Sequence, residues 1–213
     1  MPGHDHPVFS RIYTLLAGLE EGGSVGAART RVSAQLSGRT LIVGLGPGFD
    51  LAHLPDAVTE VVAVEPSGPM RHAAHSRVDE FRRTTPIEVL DAVAEDLPLP
   101  DDSVDSVLFA YVLCSVDRPD AALREARRVL REDGVLGVLE HVRGDGGSWA
   151  ARSQRIVAPL WPRLAGGCHC DRDTRAALEL AGFDTGEVVD ETLVNLPPVA
   201  PAIIGVARPR PII

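Results

Sequence analysis

The chain has 213 residues, of which 45% are hydrophobic and 24% are charged. This length and composition are typical of one globular domain with a full hydrophobic core. The formal net charge of −9, together with the lack of a basic stripe, argues against DNA or RNA as a partner. Three cysteines without a framework spacing argue against a disulfide scaffold and predict a reducing, cytoplasmic location. No stretch approaches 18 consecutive apolar residues, so we expect no membrane span.

Two helices are predicted ahead of the main sheet, within residues 1–38. The first runs from Val8 to Leu19, where Phe9, Ile12, Leu15, Leu16 and Leu19 recur at helical spacing. The second runs toward Leu36 and begins at Ser24, a residue type that commonly caps a helix N-terminus.

From Thr40 onward, short apolar strands alternate with helices. Runs that are apolar on both faces are typical of strands buried in a parallel sheet. Five are predicted, at Leu41–Val43, Val61–Val64, Pro86–Leu90, within Val104–Cys114 and at Val135–Leu139. The clearest helix runs from Asp120 to Arg131, and Gly134 follows it where a left-handed residue is favoured. This alternation predicts an α/β fold with a doubly wound sheet.

The pattern changes near the end of the chain. Glu187–Val194 and Ala202–Ala207 read as two strands, and the link between them is too short for a crossover helix. We therefore expect an antiparallel hairpin. The sequence shows no repeat and no long linker, which predicts a single domain (1–213) with a core at 39–143, a helical lid at 144–183 and a terminal hairpin at 184–213.

The strongest motif is Gly44-Leu45-Gly46-Pro47-Gly48, directly after the first predicted strand. Glycine lets the backbone turn sharply and lie close to a ligand. A dinucleotide fingerprint, G-x-G-x-x-G, would place its third glycine at position 49, which is Phe49. The spacing found is the form that holds the methionine part of S-adenosylmethionine. A glycine-rich turn without a ligand is the alternative.

Two acidic positions extend this interpretation. Glu65 ends the second predicted strand, about 20 residues after the first glycine, where a carboxylate can accept hydrogen bonds from both ribose hydroxyls. The sequence Ala94-Glu95-Asp96-Leu97-Pro98 follows the third strand, where an adenine would lie. The alternatives are a solvated glutamate and an acidic surface loop.

These stretches resemble the methyltransferase type 11 family of class I, Rossmann-like enzymes. The matching segments are Leu41–Gly48, Val61–Glu65, Glu95–Asp105 and Leu123–Gly134. Three further segments resemble the methyltransferase-like proteins that act on alkyl thiols: Tyr111–Val116, Leu139–Val142, and Pro159-Leu160-Trp161 with Gly167-Cys168. The resemblance implies a seven-stranded sheet ending in an antiparallel hairpin, and S-adenosylmethionine as the cofactor. The implied cofactor-binding residues are Gly44, Leu45, Gly46, Gly48, Glu65, Pro66, Ala94, Glu95 and Tyr111.

The sequence departs from the family pattern at three places. Ile42 stands where an acidic residue usually helps to hold the methionine amino group, and Val93 stands where an aspartate is frequent. Glu132-Asp133-Gly134 replaces the usual Pro-Gly-Gly. The first two departures, Ile42 and Val93, leave open a cofactor-binding protein without turnover. An NAD(P)-dependent oxidoreductase is a further alternative, which Phe49 and the terminal hairpin oppose.

Ligands of open α/β sheets bind beyond the carboxyl ends of the strands. The residues expected there are Phe49, Tyr111, Val112, Leu113, Cys114, Ser115, Glu140 and His141. His141 is the candidate catalytic residue, a general base, with a structural histidine as the alternative. Cys114, Trp149 and Trp161 mark the substrate region. We expect most apolar residues of the lid to pack on the sheet.

The expected reaction is methyl transfer to a small, mostly apolar molecule, with a thiol as the first acceptor class and a hydroxyl or amine next. Cys168-His169-Cys170 invites a zinc interpretation. The C-x-C spacing and the lack of a second pair argue against it, so we expect no metal. His72 and His75 lie one helical turn apart, without a third ligand. The sequence gives no oligomeric state.

Overall fold

A computed structural model describes residues 10, 14–15, 18, 21–194 and 196–210. Seven strands and six helices have both of their ends within these residues. The strands are β1 (Gly38–Val43), β2 (Val58–Val64), β3 (Ile87–Leu90), β4 (Val104–Ala110), β5 (Leu130–His141), β6 (Phe183–Thr192) and β7 (Pro201–Pro209). The helices are α1 (Ser24–Ser33), α2 (Gly68–Phe81), α3 (Pro119–Val129), α4 (Trp149–Val157), α5 (Trp161–Leu164) and α6 (Thr174–Leu180), with a 3₁₀ turn at Phe49–His53.

The strands form one sheet in the order β3-β2-β1-β4-β5-β7-β6. β1 lies at the centre and pairs in parallel with β2 and β4, so that Val43 is level with Val64 and Phe109. The carboxyl ends of these three strands therefore meet at one edge. The predicted doubly wound α/β sheet is confirmed.

Alternating side chains of the buried strands build two cores, one on each face of the sheet. Leu41 and Val43 pack on the face that α3 and α6 cover, and Ile42 packs on the face that α1 and α2 cover. Ile42, which replaces the family's acidic residue, is fully buried in this second core.

The terminal strands form the predicted hairpin. β7 runs antiparallel to both β5 and β6, and Gly205 is level with Val138 on one side and Val188 on the other. The short connection between β6 and β7 leaves the chain no room for a crossover, and the sequence-based expectation is confirmed.

The prediction for the end of α3 was wrong. The helix stops at Val129, because Leu130 is already extended and opens β5. Gly134 lies inside β5 and is not left-handed. A Cβ there would lie 2.5 Å from Leu130 Cδ1 and 2.8 Å from the Asp105 carbonyl oxygen. The glycine is therefore needed where an irregular stretch of β5 passes close to its neighbours, not as a helix cap.

The first predicted helix, Val8–Leu19, lies mostly outside the described residues, as do Phe9, Ile12, Leu16 and Leu19. The second is α1, but its N-cap is Gly23 rather than Ser24. The Ser24 hydroxyl instead donates to the carbonyl oxygen of Leu193, beyond β6. Within the described parts of the chain, no helix combines the length and apolar character needed to cross a bilayer.

Candidate active site

The glycine loop after β1 is built as the motif predicts. Gly44, Gly46 and Gly48 all have positive φ angles, of 68°, 53° and 82°, a region that other residues enter only with strain. A Cβ on Gly44 would lie 2.6 Å from Val112 Cγ2, whereas a Cβ on Gly46 would meet nothing within 4 Å. The loop therefore packs against the segment after β4 on one side and leaves open space at Gly46. That space suits a ligand lying against the backbone.

Glu65 fastens this loop to the end of β2. Its side chain is buried, and Oε2 accepts a hydrogen bond from the Gly46 N–H at 2.8 Å while Oε1 accepts one from the Ser67 N–H at 2.9 Å. A carboxylate accepts hydrogen bonds at both of its oxygens, which is the chemistry that binding of ribose hydroxyls requires. Pro66 follows Glu65 and is half-buried.

The loop predicted to read an adenine is held by α3. Ala94 is buried, and the Glu95 carboxylate accepts a hydrogen bond from the Arg118 N–H at 3.1 Å. Arg128 donates to the carbonyl oxygens of Leu97 at 3.0 Å and Leu99 at 2.7 Å. Arg128 could not be predicted from the sequence, because an arginine on a helix surface carries no local signal of such a role.

Glu125 holds the same loop as Arg128, because its carboxylate accepts a hydrogen bond from the Leu97 N–H at 2.9 Å. The hydrogen bond from Arg128 holds the pKa of Glu125 below its ordinary value, and burial opposes this shift. Both groups of the pair are therefore charged at neutral pH, and together they fix the loop from its N–H and C=O sides.

Tyr111, directly after β4, has a left-handed backbone with φ of 61°. Such a conformation is costly for a tyrosine and is found where the surroundings impose it, often in active sites. Its ring lies 4.5 Å from the His141 ring, centroid to centroid. Arg29 of α1, buried and ion-paired to Glu21 and Asp50, lies 5.5 Å from the Tyr111 ring centroid. Arg29 was likewise not predicted from the sequence.

Glu140 shapes the loop that follows Tyr111. The side chain is fully buried, and its two oxygens accept hydrogen bonds from the N–H groups of Val112 and Leu113, both at 2.7 Å, and of Cys114 at 3.1 Å. Burial raises the pKa of Glu140, and the three amide hydrogen bonds oppose that rise. This carboxylate is committed to backbone amides, so we assign it a positioning role.

The structure brings Cys114 and His141 together with Cys168. Their Sγ and ring nitrogen atoms all lie within 4.8 Å of one another, and Cys168 Sγ is 3.8 Å from His141 Nδ1. Cys170 and Trp161 pack against Cys114 and Cys168. All three cysteines are free thiols. A hydrogen bond with Cys168 and burial raise the pKa of Cys114, and burial raises that of Cys170 to about 11.

The segment before α6 is bound directly to the loop after β4. The His169 N–H donates to the Cys114 carbonyl oxygen at 2.6 Å, and Arg172 donates to the carbonyl oxygens of Leu113 and Val116. The side-chain amide of Gln154 donates to the carbonyl oxygens of Val142, Cys170 and Pro198. This network sets Cys168 beside His141.

The two tryptophans of the lid differ. Trp161 joins the cysteines, whereas Trp149, at the start of α4, is 71% exposed and lies apart from them. Our expectation that the apolar lid residues mostly pack on the sheet was wrong, because Ile156, Leu160 and Leu164 are also more than half exposed. The lid is anchored by hydrogen bonds of its backbone and of Gln154, so these side chains are free to face outward. His72 and His75 are exposed on α2.

Comparison with known proteins agrees with this geometry. Residues 41–138 match the Methyltransferase domain family. The human protein Thiol S-methyltransferase TMT1B is 34% identical over 169 residues, which cover 78% of this chain and 69% of that protein. The human protein Thiol S-methyltransferase TMT1A is 32% identical over 144 residues, 67% of this chain and 59% of that protein. The matched part of the chain thus spans 59% to 69% of the length of these two relatives.

Solved structures share the fold. A Thermotoga maritima protein described as a SAM-dependent methyltransferase, possible histamine N-methyltransferase, has a TM-score of 0.65 at 22% identity, covering 94% of this chain and 99% of that one. The Bacillus YcgJ protein has a TM-score of 0.62 at 21% identity, covering 78% and 69%. The family favours a methyltransferase over the oxidoreductase alternative. With a human relative 34% identical over 78% of the chain, this chain belongs to the class I, S-adenosylmethionine-dependent methyltransferases of the Methyltransferase domain family.

Proposed function

We propose that this methyltransferase transfers a methyl group from S-adenosylmethionine to the thiol sulfur of a small, mostly apolar molecule. The observation that carries the proposal is the side-chain cluster beyond β4 and β5. Cys114, Cys168 and Trp161 make this cluster apolar and polarisable, and the buried carboxylate there, Glu140, accepts hydrogen bonds from three backbone amides. The two human relatives described as thiol S-methyltransferases support the same acceptor class.

We assign the cofactor to the edge where β1, β2 and β4 end. The backbone of Gly44, Leu45, Gly46 and Gly48 would hold its methionine part, and Tyr111 would border the sulfonium. Further along the same edge, Glu65 and Pro66 would meet the ribose, and Ala94 and Glu95 the adenine. When bound, S-adenosylmethionine supplies an electrophilic methyl group on a sulfonium sulfur.

A thiol suits this site because it needs little chemical help. Free thiols have a pKa of about 8.5, so a fraction is already thiolate at neutral pH. The protein then has to hold the sulfur in line with the methyl group and exclude water, which is catalysis by proximity. A hydroxyl acceptor would instead need a general base, and His141 is our candidate for that role.

The test is methyl transfer to acceptors that share one carbon skeleton. The purified chain is incubated with labelled S-adenosylmethionine and with benzyl mercaptan, benzyl alcohol or benzylamine, and a Glu65→Ala variant serves as the matched control. We expect label in the thioether product with the parent chain and a marked loss with the variant. Transfer to the alcohol or the amine, with none to the thiol, would refute the proposed acceptor class.

A further inference from the structure

We propose that Cys114, His141 and Cys168 bind one Zn²⁺ ion and that the substrate thiol occupies the fourth position of that ion. The three donor atoms lie within 4.8 Å of one another, and the Cys168 Sγ to His141 Nδ1 distance is 3.8 Å. Zinc bonds of about 2.3 Å to sulfur and 2.0–2.1 Å to nitrogen place tetrahedral donors roughly 3.5–3.8 Å apart. The cluster is therefore close to the size that zinc requires.

Each donor is fixed by a different part of the fold. His141 ends β5 and is paired with Ala202 of β7. The Cys114 N–H donates to Glu140, and the Cys168 N–H donates to the Ala165 carbonyl oxygen at 3.0 Å. A metal site needs ligands that are held in place before the ion arrives, and these backbone bonds supply that order.

The chemistry of the donor set favours zinc with an open position. Two thiolates and one imidazole are known ligands of catalytic zinc, which keeps its fourth position for water or substrate. Two thiolates also neutralise the ion, which permits its burial. The indole Nε1 of Trp161, packed on the same cysteines, is buried without a hydrogen-bond partner among the described residues. An N–H donor in that place suits an anionic sulfur bound to the ion.

This inference deepens the proposed function and rests on it for the fourth ligand. A thiol that coordinates zinc loses its proton, which passes to solvent. The thiolate sulfur then forms a bond to the methyl carbon while the bond from that carbon to the sulfonium sulfur breaks, leaving its electron pair on the product sulfur. Thiol and sulfonium thus become thioether, S-adenosylhomocysteine and one proton. In this role His141 is a metal ligand rather than a base.

The experiment measures metal content, not turnover alone. The reduced chain is loaded with zinc chloride, freed of excess metal and analysed for zinc, and cobalt chloride is bound in parallel for its thiolate charge-transfer absorption. The variants are Cys114→Ser, Cys168→Ser and His141→Ala. Cys170→Ser is the matched control, since this cysteine is buried in the same cluster but lies outside the donor set. Calorimetry with S-adenosylhomocysteine verifies that each variant is folded.

We expect one zinc per chain for the parent and for Cys170→Ser. In the three variants that lack a zinc ligand, the affinity for zinc should fall by more than about 100-fold. Loss of a residue that only hydrogen-bonds to a ligand costs about 10–100-fold. Benzyl mercaptan should shift the absorption of the cobalt form. A parent that binds no zinc, or a Cys168→Ser variant that retains it fully, would overturn the site. If benzyl mercaptan left the absorption of the cobalt form unchanged, the proposal that the substrate thiol coordinates the metal would be wrong.

The two proposals fail differently. If the parent binds no zinc after loading and still methylates thiols, the zinc site is wrong and the proposed function stands. If zinc binds as expected but only an alcohol or an amine is methylated, the proposed function is wrong and the metal site stands. For an enzyme with both properties, Cys168→Ser should slow thiol methylation at pH 7 by up to roughly 30-fold, since about 3% of a free thiol is ionised there.

Discussion

Replacing Glu65 by glutamine tests the part of the proposed cofactor site that has the clearest hydrogen bonds. The carboxylate is buried and accepts from the Gly46 N–H at 2.8 Å and the Ser67 N–H at 2.9 Å. Glutamine keeps one acceptor oxygen but turns an NH₂ group toward the other amide. A hydrogen bond to a charged group contributes about 1.5–3 kcal/mol, so loss of one such bond to the ribose predicts a Kd for S-adenosylhomocysteine about 10- to 150-fold higher.

The assay is isothermal titration calorimetry of the parent and the variant with S-adenosylhomocysteine. Glu60→Gln is the matched control, because Glu60 lies near the start of the same strand and is about half exposed beside Arg39. Urea unfolding shows whether both variants are folded under the conditions of the titration. An unchanged Kd for a folded Glu65→Gln variant would refute the role that we assign to this carboxylate.

Three further substitutions test other parts of the site. Gly44→Ala should destabilise the fold by about 2–4 kcal/mol in urea unfolding, because φ is positive and its Cβ would overlap a valine of the loop after β4. Arg128→Met should lower the free energy of unfolding by about 1–3 kcal/mol and raise the Kd for S-adenosylhomocysteine measured by calorimetry. The ion pair of Glu125 with Arg128 stabilises the parent above the ordinary pKa of Glu125, and this stability is lost as the pH falls through the lowered pKa. The variant should lack this pH-dependent part of the free energy of unfolding. Trp161→Ala should raise the KM for apolar thiols in steady-state assays, whereas Trp149→Ala should leave it unchanged.

The fold was predictable because its signals are local. Short strands that are apolar on both faces, such as Val61–Val64, and the short link before Ala202 are visible in the sequence, and the sheet contains them as predicted. The end of α3 was not predictable in this way. Arg131 and Glu132 are good helix formers, but the pairing of Leu130 with Val104 draws them into the start of β5. Tertiary pairing overrode a helical preference there.

The candidate site also contains parts that local sequence could predict and parts that it could not. The glycine loop and Glu65 lie next to their strands, so motif spacing was sufficient to predict their place in the fold. The contact of Cys114 with Cys168 and His141 joins residues far apart in the chain, so no local spacing could have predicted it. Arg128 and Arg29 act through carbonyl oxygens or buried carboxylates that only the folded chain brings near.

The most direct test of thiol methylation uses one molecule that offers two acceptors. The chain is incubated with 4-mercaptophenol and S-adenosylmethionine carrying a ¹³C-labelled methyl group, and the product is analysed by carbon NMR, in which S-methyl and O-methyl carbons resonate far apart. The thiol assignment predicts a labelled S-methyl signal that depends on the protein. A product labelled at oxygen, with the thiol left free, would contradict it.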